Sequence, residues 1–203
     1  MKPAKKNLPL MESFYTIQGE GFNTGKAAYF IRLGGCDVGC IWCDVKESWD
    51  VNAHPGVEIK KILKDALEYP SRFAVVTGGE PLMHNLTFLC DELRKHNFTI
   101  ALETSGAYPL TGKFDWICVS PHKFKYPLSA LLKIADELKV VVYNKSDFKW
   151  AEQNAKQVKA DCKLFLQPEY GKFNKVMPLI IEYVKQYPQW QISLQSHKVM
   201  NVS

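Results

Sequence analysis

The chain has 203 residues, 46% of them hydrophobic and 12% aromatic, enough to bury one substantial core and few for two, so a single domain over 1–203 is expected. Its 26 Lys and Arg against 21 Asp and Glu give a net charge of +5. That surplus is spread as single lysines and short pairs, which argues against a nucleic-acid partner and fits solvated surface, an anionic small molecule or an acidic redox protein. The basic start Met1-Lys2-Pro3-Ala4-Lys5-Lys6 leads into polar residues with no apolar run, so neither signal peptide nor membrane span is expected and the protein is placed in the cytoplasm.

In chain order, the first β-branched run, Ala28 to Leu33, predicts a strand that feeds the glycine- and cysteine-rich segment Gly34 to Cys43. Trp49 to Gly56 reads as a loop. Val57 to Leu67 places Ile59, Ile62, Leu63, Ala66 and Leu67 on one helical face. A strand at Phe73 to Thr77 precedes the turn Gly78-Gly79-Glu80-Pro81, and Leu86 to Lys95 repeats the helical pattern. Strands at Thr99 to Glu103 and Trp116 to Val119 run into Thr104-Ser105-Gly106 and Ser120-Pro121-His122. Further strands at Leu138 to Val142 and Leu164 to Gln167, the latter followed by Pro168-Glu169, a helix at Val176 to Lys185 and a strand at Gln191 to Leu194 complete the pattern.

Strands alternating with amphipathic helices predict an α/β fold with a mostly parallel sheet, open or closed into a barrel. In such folds the ligand site is built from loops at the carboxyl ends of the strands, where every polar segment named above falls; one shared site is implied.

The 6 cysteines divide into two kinds. Cys90, Cys118 and Cys162 sit among apolar residues and are expected in the core as small hydrophobes. Cys36, Cys40 and Cys43 are packed between glycines, away from any apolar period, and ask for a ligand. Three sulfurs leave one coordination position open, which suits an iron–sulfur cluster with one exchangeable iron. A structural zinc site is the alternative, and would have to recruit His54, Asp44 or a distant cysteine. In Gly78-Gly79-Glu80, two glycines allow the backbone close to a ligand while the acid can accept from an amine; as an isolated motif, a helix-initiating turn explains it equally well.

The Cys-x3-Cys-x2-Cys spacing with Trp42 before the last cysteine, followed by Gly-Gly-Glu-Pro, resembles the radical SAM superfamily (SAM, S-adenosylmethionine). Within it, Phe14-Tyr15-Thr16-Ile17-Gln18-Gly19-Glu20-Gly21, Cys43-Asp44, Glu103-Thr104-Ser105-Gly106, Ser120-Pro121 and Ser193-Leu194-Gln195-Ser196-His197-Lys198 resemble the 7-carboxy-7-deazaguanine synthases. The similarity runs from Phe14 to the last residue.

The resemblance implies a shortened, partial (β/α) barrel of the radical SAM type, usually a homodimer, with N- and C-terminal segments completing the substrate site. It implies conversion of 6-carboxy-5,6,7,8-tetrahydropterin to 7-carboxy-7-deazaguanine, a carbon–nitrogen lyase step on the route to queuosine and other 7-deazapurines. A reduced [4Fe-4S] cluster cleaves SAM, the resulting 5′-deoxyadenosyl radical takes hydrogen from C6, and ring contraction follows with SAM regenerated and ammonia lost. A flavodoxin or ferredoxin is the implied electron donor.

Site residues carry over position by position. Cys36, Cys40 and Cys43 would ligate iron as thiolates. Trp42, Cys43 and Asp44 would lie against SAM, the Gly78-Gly79-Glu80 turn would take its amino group, Ser120, Pro121 and His122 its nucleoside, and Gln167, Pro168, Glu169 and Tyr170 would close over the adenine. Ile17, Gln18, Gly19 and Glu20 would read the pterin edge, Arg32 a carboxylate, and Thr77, Glu103, His197 and the terminal carboxylate of Ser203 would complete the shell. Glu20, Arg32, Glu103 and His197 are the catalytic candidates, each with an ordinary structural role as the competing explanation. Three positions depart from the family: His122 stands where lysine is frequent, Ser203 where proline often ends the chain, and Val45 where Thr or Ser commonly joins the substrate carboxylate on Mg²⁺. Valine cannot ligate a hard cation, so weaker magnesium dependence is expected. A glycyl-radical activase, acting on a protein, and a non-catalytic iron–sulfur or zinc module are the alternative functions.

Overall fold

The computed structural model describes residues 6–202; Ser203 lies outside them. Nine strands form one sheet in the order β3-β1-β2-β4-β5-β6-β7-β8-β9. Seven of them, β2 (Ala27–Leu33), β4 (Phe73–Gly78), β5 (Thr99–Thr104), β6 (Trp116–Val119), β7 (Glu137–Val142), β8 (Lys163–Pro168) and β9 (Trp190–Ile192), pair in parallel. The mostly parallel α/β expectation holds, in the open form.

The amino-terminal edge differs from it. β1 (Asn7–Ile17) is an 11-residue strand antiparallel to β2, and β3 (Gly56–Glu58) pairs antiparallel to β1. The Leu8↔Val57 pairing draws Val57 into that strand, so helix α1 begins at Ile59 and runs to Leu67. Helix α2 (Thr87–Lys95) follows β4, α4 (Ser146–Ala155) follows β7 and α5 (Phe173–Gln186) follows β8. Two short helices, α3 (Ser129–Leu132) and α6 (Ser196–Met200), were not evident in the sequence pattern. No helix spans the β5–β6 connection. There Asp115 accepts from the Ile100 amide at 2.8 Å and from Arg94 at 2.7 Å, fixing the start of the next strand with a side chain.

The strands alternate between two buried faces, as parallel strands covered on both sides must. Ile31, Leu33, Val76, Ile100, Leu102, Leu138 and Val140 point outward against Ile59, Ile62 and Leu63 of α1, Leu89 and Leu93 of α2, and Val176 and Ile180 of α5. Each fully buried Leu or Ile there contributes roughly 1.5–3 kcal/mol. Cys90, Cys118 and Cys162 are buried, as expected of small hydrophobes. The inner face is apolar only at one end, where Ala28, Val75 and Ala101 meet Phe30, Phe73 and Trp116, with Phe22 stacked on Trp116 at 4.6 Å. Towards the carboxyl ends the inner face turns polar, which positions a site.

Candidate active site

The cysteine loop is folded back on the segment that follows it. The Gly35 amide donates to Ser48 O at 2.6 Å, Cys36 N to Trp49 O and Cys43 N to Cys40 O, both at 3.2 Å. The Gly78-Gly79 turn presses against it: a Cβ at position 79 would sit 2.6 Å from the Cys36 Cβ and 2.5 Å from Gly35 O. Close approach, and not only turn geometry, demands glycine here.

All three cysteines line one cavity of about 320 Å³ at the carboxyl ends of the strands, within the range of small-molecule sites. Burial pushes the Cys36 thiol up and the Cys40 thiol up to about 12, and the neighbouring cysteines add to it. As bare thiols Cys36 and Cys40 stay neutral; three thiolates held together need the positive charge of a metal centre. Among the described residues no three His, Cys, Asp or Glu side chains converge tightly enough for a single ion. His54, one of the residues that zinc could recruit, has its Nε2 on Glu47 O at 2.8 Å. Three cysteines spread round a cavity wall fit a larger cluster with an open corner better than a tetrahedral ion.

Beside the cysteines, one wall carries Trp42, Cys43, Asp44, Gly78, Gly79, Ser120 and His122, and Gln167, Pro168, Glu169 and Tyr170 close it from β8. Burial lowers the His122 pKa to about 4, so its imidazole is neutral at pH 7. Two residues placed by sequence on this wall face elsewhere. The Glu80 carboxylate is 1% exposed and accepts from Leu82 N, Thr104 Oγ1, Ser105 N and Ser105 Oγ, which leaves the turn's backbone and not its acid to meet an amine. Pro121 is buried behind the wall and its carbonyl accepts from Trp150 Nε1 at 3.2 Å.

The rest of the cavity is built by the β1–β2 connection, the inner strand faces and the carboxyl-terminal helix. Ile17, Gln18, Gly19, Glu20, Arg32, Thr77, Glu103 and His197 all line it. Gly19 packs flat beneath α6: a Cβ there would lie 2.4 Å from His197 Nδ1, and Ser196 donates to Gly19 O through both its amide and its hydroxyl. Arg32 Nε lies 2.7 Å from the half-exposed Glu12 carboxylate, but without hydrogen-bond alignment, so its guanidinium keeps donors for another carboxylate.

The radical SAM superfamily pattern matches residues 30–140. A 7-carboxy-7-deazaguanine synthase of Flavobacterium psychrophilum is 53% identical over 195 residues, which cover 96% of this chain and 92% of the relative. The synthase of Escherichia coli K12 is 33% identical over 222 residues, covering 96% and 99%. The crystal structure of QueE from Escherichia coli superposes with a TM-score of 0.81 at 32% identity, over 93% of each chain. The chain belongs to the 7-carboxy-7-deazaguanine synthase family of radical SAM enzymes.

Of the positions that resemblance to this synthase family singled out, the cavity gathers all except Glu80 and Pro121, with Ser203 outside the described residues. It also holds side chains that sequence reading missed. Lys139 reaches in from β7 and donates to Glu20 at 2.6 Å and to Glu103 at 3.0 Å. Gln195 donates to Glu20 at 2.9 Å, and Lys198 lies 4.0 Å over the Tyr170 ring and 3.8 Å from Asp44. The signal for Lys139 was present: in Glu-Leu-Lys-Val-Val-Val two charges two apart share one face of a strand otherwise apolar.

Proposed function

We propose that the chain converts 6-carboxy-5,6,7,8-tetrahydropterin to 7-carboxy-7-deazaguanine with loss of ammonia. One observation carries this reading: three cysteines whose thiols fit a cluster line the same cavity as a set of carboxylates, amides, an arginine and a histidine. When bound, the [4Fe-4S] cluster and SAM supply the electron and the carbon radical that begin the reaction.

The residues of the chain bind, orient and exclude. Cys36, Cys40 and Cys43 would hold the cluster as thiolates. The Gly78-Gly79 backbone accepts from the methionine amino group; Trp42 to Asp44, Ser120 and His122 flank the cofactor, and Gln167 to Tyr170 cover it. Ile17, Gln18, Gly19, Glu20, Thr77, Glu103 and His197 fix the pterin ring, and the Arg32 guanidinium takes its carboxylate, all but His197, on α6, from strands or the connection that follows β1. Orientation is the protein's main contribution, because a radical held against one hydrogen cannot react with another.

The donor set fits Mg²⁺ poorly. Val45 lines the cavity without an oxygen to offer, and the neighbouring Asp44 carboxylate faces the Lys198 ammonium. The working form is a cytoplasmic homodimer reduced by flavodoxin or ferredoxin; among the described residues no helix is long and apolar enough to cross a membrane.

Anaerobic reconstitution with iron and sulfide, followed by dithionite, SAM and 6-carboxytetrahydropterin, tests the reading by mass spectrometry of the product. Formation of 7-carboxy-7-deazaguanine that disappears with Cys40→Ala is expected. Release of 5′-deoxyadenosine without that product would point to an activase instead, and a reduced, fully loaded cluster that leaves SAM intact would overturn the enzyme assignment.

A further inference from the structure

Lys139 is the most buried lysine of the cavity, with its side chain 6% exposed, and no surface role accounts for it. Its ammonium donates to Glu20 Oε2 on the β1–β2 connection and to Glu103 Oε2 on β5. The remaining carboxylate oxygens are held from the side: Gln195 donates to Glu20 Oε1 at 2.9 Å and Gln18 to Glu103 Oε1 at 3.3 Å. Gln167 adds a further hydrogen bond to Glu20, and both carboxylates retain acceptor capacity, since a carboxylate offers about four lone-pair sites.

We propose that Lys139 is the positioning residue of the pterin site: its ammonium clamps Glu20 and Glu103 in one plane of acceptors for the amine and ring N–H edge of the substrate. The proposal rests on the pterin reading above and names what organises that site. A 2-amino-4-oxo pyrimidine edge presents adjacent N–H donors, which a pair of ionised carboxylates accepts and a protonated pair does not.

The electrostatics agree with the geometry. Burial acts to raise the Glu20 pKa, but the Lys139 charge and hydrogen bond, helped by Gln195 and Gln167, leave it at about 2. Burial likewise acts to lower that of Lys139, and Glu103, Glu20, Cys118 and Glu137 reverse it. Glu137, two residues away on the same face, is raised by burial and by Glu103, and is spent on Phe22 N and Trp116 Nε1. His197 faces Glu20 from α6, with Lys198 and Asp44 beyond it, and burial keeps its imidazole lowered. One ammonium therefore bonds two part-buried carboxylates and lies near a third, buried one. Without it, burial acts on Glu20 with only the Gln195 and Gln167 hydrogen bonds against it, and Glu20 takes up its proton at higher pH.

The test is the dissociation constant of 6-carboxytetrahydropterin for cluster-loaded Lys139→Met and wild-type enzyme between pH 6 and 8.5. The variant is expected to bind more weakly, and the ratio to grow as pH falls, by up to about tenfold per pH unit below the raised pKa. SAM affinity, measured on the same samples, is expected to survive. A ratio near one, or a large ratio that does not change with pH, would overturn the proposal while leaving the pterin reading intact. Wild-type enzyme that fails to bind the pterin would overturn both. Should Lys139→Met not fold, the infrared difference between wild type and Glu20→Gln at pH 5 decides: an ionised carboxylate band is expected, and a protonated carbonyl band refutes the clamp.

Discussion

The Glu80 carboxylate and Ser105 form one buried unit, in which a single oxygen, Oε2, accepts from both the amide of Ser105, at 2.8 Å, and its hydroxyl, at 2.5 Å. The other oxygen takes Leu82 N and Thr104 Oγ1. Four donors from two strand ends converge on one acid, so its work is to tie the β4 turn to the β5 turn. Glu80→Gln places an N–H against one of those pairs of donors. A loss of about 1–3 kcal/mol follows from the unmet groups, read as a melting point lower by about 2–4 °C per kcal/mol. An unchanged melting point with lost SAM affinity would mean that the carboxylate binds the ligand after all.

Gly19→Ala tests the contact between the amino-terminal connection and α6. Its Cβ would stand 2.4 Å from His197 Nδ1 and 2.7 Å from the His197 backbone nitrogen, and backbone cannot yield as a flexible side chain does. Helix α6 must move, and His197 with it. The expected result is a raised KM for the pterin, with displacement of this kind costing up to about 100-fold in kcat/KM, while SAM cleavage in the absence of pterin is retained. Equal losses of both would show that the contact supports the whole fold.

Much of this was legible in the sequence because it is written in local terms. The parallel strands followed from β-branched runs, and the cysteines from their spacing. β1 escaped because Asn7 to Ile17 mixes polar and apolar residues, with Pro9 within it, and pairs antiparallel at the sheet edge, where no second face imposes a continuous apolar run. Lys139 escaped because its partners, Glu20 and Glu103, lie 119 and 36 residues away, a distance that only the folded sheet closes. The partners of the Glu80 side chain were hidden for the same reason: a carboxylate beside two glycines suits an amine equally well until Thr104 and Ser105 are seen to donate to it.

His122 gives the fold an acid-sensitive point. Burial lowers its pKa from 6.5 to about 4 in the folded chain, so between those values the unfolded chain binds more protons than the folded one. Stability contributed by the neutral imidazole is whole above pH 6.5 and declines as pH falls towards 4. Lowering of His197 by burial works in the same direction. His122→Asn is expected to flatten the fall of the melting point between pH 6.5 and 4 relative to wild type; parallel profiles would show that the imidazole is solvated.

Magnesium dependence turns on Val45. Its isopropyl group lines the cavity next to Asp44, whose carboxylate lies 3.8 Å from the Lys198 ammonium. A hard cation needs oxygen ligands and gives up water reluctantly, and a wall that offers a methyl surface and a cation-paired acid supplies little to replace that water. Turnover of the reconstituted enzyme is therefore expected to persist after brief chelation that leaves iron bound, and to rise little when Mg²⁺ is restored. Val45→Thr adds a hydroxyl of nearly the same volume at the same place, and is expected to create a stimulation by Mg²⁺ that wild type lacks. Collapse of wild-type turnover on chelation, with full recovery at micromolar Mg²⁺, would show that substrate, water and Asp44 suffice to hold the ion, and that the valine is no barrier to it.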